Sequence, residues 1–160
     1  MAIQKTNVMR ILDQKKISYQ TFSYPHGESA VDGVTVSQLI GKPAEQVFKT
    51  LVAVGSSKKN YVFVIPVQNE LDLKKAAKAV GEKSISMLPV NQLLPLTGYV
   101  RGGCSPIGMK KQFPTYIHNA GELPNRMIVS AGKIGLQVEL APADLIKIIN
   151  GRTADVVVEE

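Results

Sequence analysis

Two apolar runs, VFKTLVAV at residues 47–54 and YVFVIPV at residues 61–67, constrain the fold of this 160-residue chain more than any other feature. Both are apolar at nearly every position and rich in β-branched and aromatic side chains, which suit a pleated surface. Strands without polar alternation are covered on both faces, so the pair belongs at the centre of a sheet. The linker between them, Gly55-Ser56-Ser57-Lys58-Lys59-Asn60, is polar and of hairpin length. Only Lys49 and Thr50 interrupt the first run. A lysine there is costly to bury unless its ammonium reaches water or an anion, so it is either a site residue or a strand lysine that snorkels to solvent.

Other elements gather around that hairpin. Helical spacing predicts helices over residues 7–16, 37–40, 71–80 and 142–150, with shorter helical turns at 43–46 and 89–94. Val8, Ile11 and Leu12 share one face of the first, which Thr6 or Asn7 can cap. Leu73, Ala76, Ala77 and Val80 line one face of the 71–80 helix, and Gly81 ends it. Strand patterns fall at 17–24, 84–88, 115–118, 127–130, 136–140 and 154–158. Intermixed strands and helices, without repeats or linkers, predict one α+β domain over residues 1–160. The expected architecture is a curled, mostly antiparallel, barrel-like mixed sheet with flanking helices.

The stretch TGYVRGGCSPIGMKK, residues 97–111, is the clearest candidate for a ligand loop. Tyr99 and Val100 have strand character. Gly102 and Gly103 lack a Cβ and permit close backbone approach or positive φ. Pro106 fixes its own φ and holds Ser105 extended. The pattern predicts a rigid loop of exposed amides beside basic side chains, able to hold a carbonyl oxygen, a carboxylate or a phosphate. A glycine-proline turn at a strand end is the plainer reading.

Charge points to a polyanionic partner. Nineteen Lys and Arg stand against thirteen Asp and Glu, and basic surface attracts phosphate and releases counterions. Lys74, Lys75, Lys110 and Lys111 are the candidate phosphate contacts. Few aromatics and no Trp argue against a base-stacking platform. No apolar run approaches membrane-spanning length, and the N-terminus lacks a signal-peptide pattern, so a cytoplasmic protein is expected. One cysteine, Cys104, excludes an internal disulfide framework, and neither metal nor cofactor is expected. The sequence contains no GxSxG, HExxH, Walker or GxGxxG pattern. His26 and His118 read as turn or surface residues. Neither is placed by sequence to activate Cys104 as a nucleophile.

Five segments together resemble a known family: Phe48-Lys49-Thr50-Leu51; the lysine-rich helix from Leu71 to Lys78; the Thr97-to-Gly108 loop; Val129-Ser130-Ala131-Gly132; and Glu139-Leu140-Ala141-Pro142-Ala143-Asp144-Leu145. The chain resembles the YbaK/EbsC family of bacterial cysteinyl-tRNA(Pro) deacylases, related to the editing domain of prolyl-tRNA synthetase. The resemblance runs over nearly the whole chain. It implies a mixed α/β fold with a barrel-like sheet, and hydrolysis of the ester joining a wrongly attached cysteine to proline tRNA. It implies Lys49 as the key polar residue, Gly102 and Gly103 as amides holding the aminoacyl carbonyl, and Tyr24, Thr50, Ser105, Pro106 and Asp144 as substrate contacts. It also implies that the substrate's own thiol attacks its carbonyl, so that the protein supplies geometry, oxyanion stabilisation and exclusion of bulkier side chains. Lys49 would then orient the terminal adenosine, favour the thiolate, or bind phosphate. The implied partners are aminoacyl-tRNA and prolyl-tRNA synthetase. Removal of alanine from proline tRNA, and a non-catalytic module that binds tRNA or a synthetase, are the alternatives.

Overall fold

The computed structural model describes residues 5–27, 29–119 and 121–159. Its elements in order are α1 (Asn7–Gln14), β1 (Gln20–Ser23), α2 (Gly33–Ile40), a 3-10 turn (Ala44–Gln46), β2 (Phe48–Gly55), β3 (Asn60–Pro66), α3 (Leu73–Val80), β4 (Ile85–Met87), α4 (Val90–Thr97), β5 (Thr115–His118), β6 (Met127–Ser130), β7 (Leu136–Leu140), α5 (Pro142–Ile149) and β8 (Arg152–Ala154). The fold is mixed α+β.

The apolar hairpin is central, as its composition requires. Five strands run in the order β4-β2-β3-β5-β8, with β2 and β3 antiparallel and β3, β5 and β8 successively parallel. Phe63 and Ile65 face α3 and the C-terminal segment, while Val62 and Val64 face a larger core shared with α1, α5 and a second sheet. All four are fully buried, and each such side chain contributes about 1.5–3 kcal/mol of transfer free energy. The second sheet has three strands, antiparallel throughout, in the order β1-β7-β6.

The barrel-like expectation is not met: among the described residues neither sheet closes. β6 runs beside β2 but pairs with that side of the chain only through the parallel bridge of Val47 with Ile128, and β4 pairs with β2 only from Ala53 to Gly55. The leading half of β2 therefore has β3 on one side and no continuous partner on the other. Three local expectations also shift. Tyr99 and Val100 form no strand, because Thr97 belongs to α4 and Gly98 ends that helix at φ +88°. The last strand lies at Arg152–Ala154, with Val157 making only a single bridge to Leu71. α2 begins four residues before the expected 37–40 helix, because the Asp32 side chain accepts from Thr35 N at 3.1 Å and caps it.

Candidate functional site

A cleft of about 300 Å³ opens where the two sheets part. Its geometry follows from the bridge between Val47 and Ile128, from which β2 and β6 run on in the same direction. Two and three residues further along, Lys49 and Thr50 stand on one side. On the other are Ser130 and its cross-strand partner Gln137. Tyr24 and Cys104 complete the inner lining, the segment from Ala30 to Gly33 forms one wall, and Arg101 and Gly102 border it. Val67 N donates to Val47 O at 2.9 Å, so Lys49 and Leu51 share hydrogen-bonded rungs with β3. The backbone groups of Phe48 and Thr50 therefore point to the opposite edge.

Two polar atoms in this cleft are buried without a hydrogen-bond partner among the described residues: Thr50 Oγ1 and Gln137 Oε1. Buried polar atoms are nearly always paired, because an unmade hydrogen bond leaves the full desolvation cost of about 1–3 kcal/mol. Both atoms belong to residues that line the one cleft, so its walls carry unmet hydrogen-bonding capacity. Lys49 is half-buried and forms no ion pair among the described residues. Burial pushes its ammonium pKa down, and the Glu70 carboxylate pulls it part of the way back. Asp32 is the one acidic group among the lining residues, against Lys49 and Arg101. The balance favours an anion or a developing negative charge.

The 97–111 loop is braced from within. Lys110 N donates to Thr97 O at 3.0 Å, and Tyr99 donates its hydroxyl to Ile107 O at 2.6 Å. Its middle is core rather than exposed loop: Ser105 is fully buried, with Oγ accepting from Ile107 N at 3.2 Å, and Pro106 is buried beside it. The two glycines differ. Gly102 lies at φ +86°, and a Cβ there would sit 2.7 Å from Ala30 Cβ across the cleft wall. Gly103 N–H is already donated to Val100 O at 3.0 Å, and a Cβ on Gly103 would press on the Ile134 backbone at 2.9 Å. Gly102 N–H has no partner among the described residues, so of the pair only Gly102, which borders the cleft, keeps an unpaired amide.

Cys104 lines the cleft as a neutral thiol. Burial pushes its pKa up to about 12, which removes the thiolate at neutral pH. His26 and His118 stand outside the cleft lining, and His118 Nδ1 accepts from Val156 N at 3.2 Å.

The structure thus brings Lys49, Thr50, Tyr24 and Gly102 together. It keeps Gly103, Ser105, Pro106 and Asp144 out of the cleft lining. Asp144 sits in the first turn of α5, where a carboxylate complements the helix dipole. Of the four lysines chosen for charge, Lys75 is held by Asp155 at 3.3 Å, Glu159 at 3.6 Å and Val157 O at 3.0 Å. Lys110 donates to Pro95 O at 3.4 Å, Lys111 lies over the Phe113 ring at 5.7 Å, and Lys74 is exposed on α3. None of the four lines the cleft. Gln137, Ser130, Arg101 and Asp32 do, and were not among the expected site residues. The one available signal for Gln137 was its alternation with Glu139 between the apolar Leu136, Val138 and Leu140 of β7.

A larger, more open groove of about 700 Å³ lies between β4 and α4. Lys58 is its only titratable lining residue, whereas the smaller cleft is lined by Lys49, Arg101, Asp32, Tyr24 and Cys104. Among the described residues no cluster of His, Cys, Asp or Glu could hold a metal ion, and no helix is long and apolar enough to cross a membrane.

Residues 28–148 match the family described as the aminoacyl-tRNA editing domain. A curated relative from Enterococcus faecalis, named for Cys-tRNA(Pro)/Cys-tRNA(Cys) deacylation and designated EbsC, is 46% identical over 157 residues. The match covers 98% of this chain and 96% of that protein. Among solved structures, one described as a trans-editing enzyme for prolyl tRNA synthetase aligns with a TM-score of 0.82 at 22% identity, covering 98% of this chain and all of the other. The hypothetical protein APE2540 aligns with a TM-score of 0.84 at 18% identity, over 96% of this chain and all of that one. At those identities the two structures are evidence of shared fold alone.

Proposed function

Because this chain belongs to the aminoacyl-tRNA editing domain family, we propose that residues 1–160 act as one editing unit in trans, removing cysteine from proline tRNA. The observation that carries this reading is the pair of orphaned atoms, Thr50 Oγ1 and Gln137 Oε1, on residues that line one cleft beside a half-buried Lys49. Gln137 Oε1 can only accept, which suits the α-ammonium or ribose hydroxyl of an aminoacyl ester. The Thr50 hydroxyl and Gly102 N–H are donors suited to the ester carbonyl. Tyr24 packs against the aminoacyl group. Arg101, exposed at the rim, suits a phosphate of the tRNA end, with Lys74, Lys110 and Lys111 as outer contacts.

Cys104 holds its proton, and Asp32, the one lining carboxylate, accepts from Thr35 N and Thr35 Oγ1 to cap α2, so neither side chain is assigned as the nucleophile. The substrate supplies one. Its thiol sulfur attacks the carbonyl carbon, forming a C–S bond as the ester C–O bond breaks. The thiol proton ends on the departing ribose oxygen, and the four-membered thiolactone is opened by water to cysteine. Lys49 places positive charge where the thiolate and the oxyanion develop, and the bound geometry makes the attack intramolecular. Cleft volume excludes longer side chains. Selection of the tRNA can then come from a synthetase partner.

Incubation with Cys-, Ala- and Pro-charged proline tRNA tests this. Rapid ester loss from the cysteinyl form alone is expected. Preferential loss of alanine would mean that water is the nucleophile, and binding without ester loss would make the chain a tRNA-binding module.

A further inference from the structure

The two walls of the cleft belong to different sheets, and a single buried carboxylate sits where those sheets meet. Glu139 lies on β7 directly opposite Ile128, the residue that bridges to Val47, and is only 5% exposed. Three donors from two separate segments converge on it. Gln46 Nε2 donates to Oε2 at 3.2 Å, Lys42 Nζ stands 3.5 Å from the same oxygen, and Arg126 Nε stands 3.5 Å from Oε1. Arg126 also donates through Nη2 to Glu139 O at 3.3 Å.

The placement of these groups matters more than their number. Lys42 and Gln46 bracket the turn that feeds straight into β2, and Lys49 follows Gln46 by three residues. Arg126 immediately precedes β6. Gln137 lies two residues before Glu139 on the same face of β7. One carboxylate thus fastens the start of β2 and the start of β6 to the strand that carries Gln137. A buried carboxylate among cations is a poor source of stability, since its desolvation cost offsets its pairing. What it supplies is direction.

We propose that Glu139 is a positioning residue, setting Lys49 and Thr50 on one wall of the cleft against Gln137 on the other. This rests on the site reading given above. Glu139 touches no reacting atom and acts through the Lys42–Gln46 segment.

Two substitutions test it. Glu139→Gln keeps an acceptor for Gln46 but removes both charge pairs, and Glu139→Leu keeps the volume but removes all three contacts. Steady-state deacylation of Cys-tRNA(Pro) is compared with wild type and Lys49→Ala, well below each variant's melting temperature. A misplacement of about 1 Å costs on the order of 10²-fold, so Glu139→Leu should lose about that factor in kcat with KM nearly unchanged. Glu139→Gln should fall between. Wild-type kcat in a folded Glu139→Leu, or kcat falling only in step with the unfolded fraction, would overturn the inference. If the leucine variant does not fold, the glutamine variant decides by the same criteria. Full turnover in Lys49→Ala would instead remove the site reading, and the positioning role with it.

Discussion

Lys49 sits in β2 at a cost to folding, because burial disfavours its charged form and no carboxylate among the described residues contacts it. Replacement by methionine should therefore leave the melting temperature equal to or above wild type. Deacylation should fall by 10²-fold or more, the scale of removing one preorganised donor worth about 3 kcal/mol. A thermal melt beside single-turnover rates checks both halves, and an active Lys49→Met would make the lysine structural. Cys104 gives the opposite expectation. Its thiol, pushed up to about 12 by burial, stays protonated. Cys104→Ala should keep kcat/KM within about twofold, since no transition-state contact is removed. Trapping of a cysteinyl thioester on Cys104 would contradict this. Lys49 was legible in the sequence because a charge inside an apolar strand has few explanations. Gln137 was not. Whether a glutamine between two apolar residues faces solvent or a cleft depends on which distant segments meet there, and residues 30–33, far off in sequence, line the same cleft.

The loop from Thr97 to Lys111 is the element where local sequence misled most. Glycines and a proline announced a rigid loop, and its clasp by Lys110 N and Thr97 O agrees. Which amides are free was a tertiary matter: Gly103 spends its N–H on Val100 O, and the Ser105-Pro106 turn is buried under the core. The two glycines should therefore respond differently. Gly102→Val must leave φ +86° and push Ala30, closing the cleft wall and removing the free amide. Turnover should fall by about 10²–10³-fold, as for loss of an oxyanion donor, while filter-binding affinity for tRNA is kept. Gly103→Ala should instead lower the melting temperature, because its Cβ meets the Ile134 backbone. Equal loss of rate and affinity in Gly102→Val would make the loop a tRNA dock.

At the scale of the molecule, the central hairpin was legible because a strand pair apolar on both faces has only one place in a sheet. Closure was not, since it depends on how far β4 and β6 extend alongside β2. The hairpin's far end also contributes a pH dependence to stability. Glu82 is held at about 2 by donors from Ser57 and Tyr61, and Tyr61 is raised to about 12 by Glu82. A lowered carboxyl stabilises above its unfolded value, and that contribution is lost as pH falls from about 4.5 towards 2. A raised phenol stabilises below its unfolded value, and that is lost as pH climbs from 10 towards 12. Urea melts of wild type and Glu82→Gln should converge at low pH and differ most near neutrality. The central claim is that the cleft cleaves an ester using the substrate's own thiol. Its most direct test compares single-turnover ester loss from Cys-tRNA(Pro) and from Ser-tRNA(Pro), which differ by one sulfur replaced with oxygen. The account predicts rapid loss of cysteine, a transient thiolactone, and serine release no faster than the uncatalysed rate. Equal rates for the two esters would contradict it.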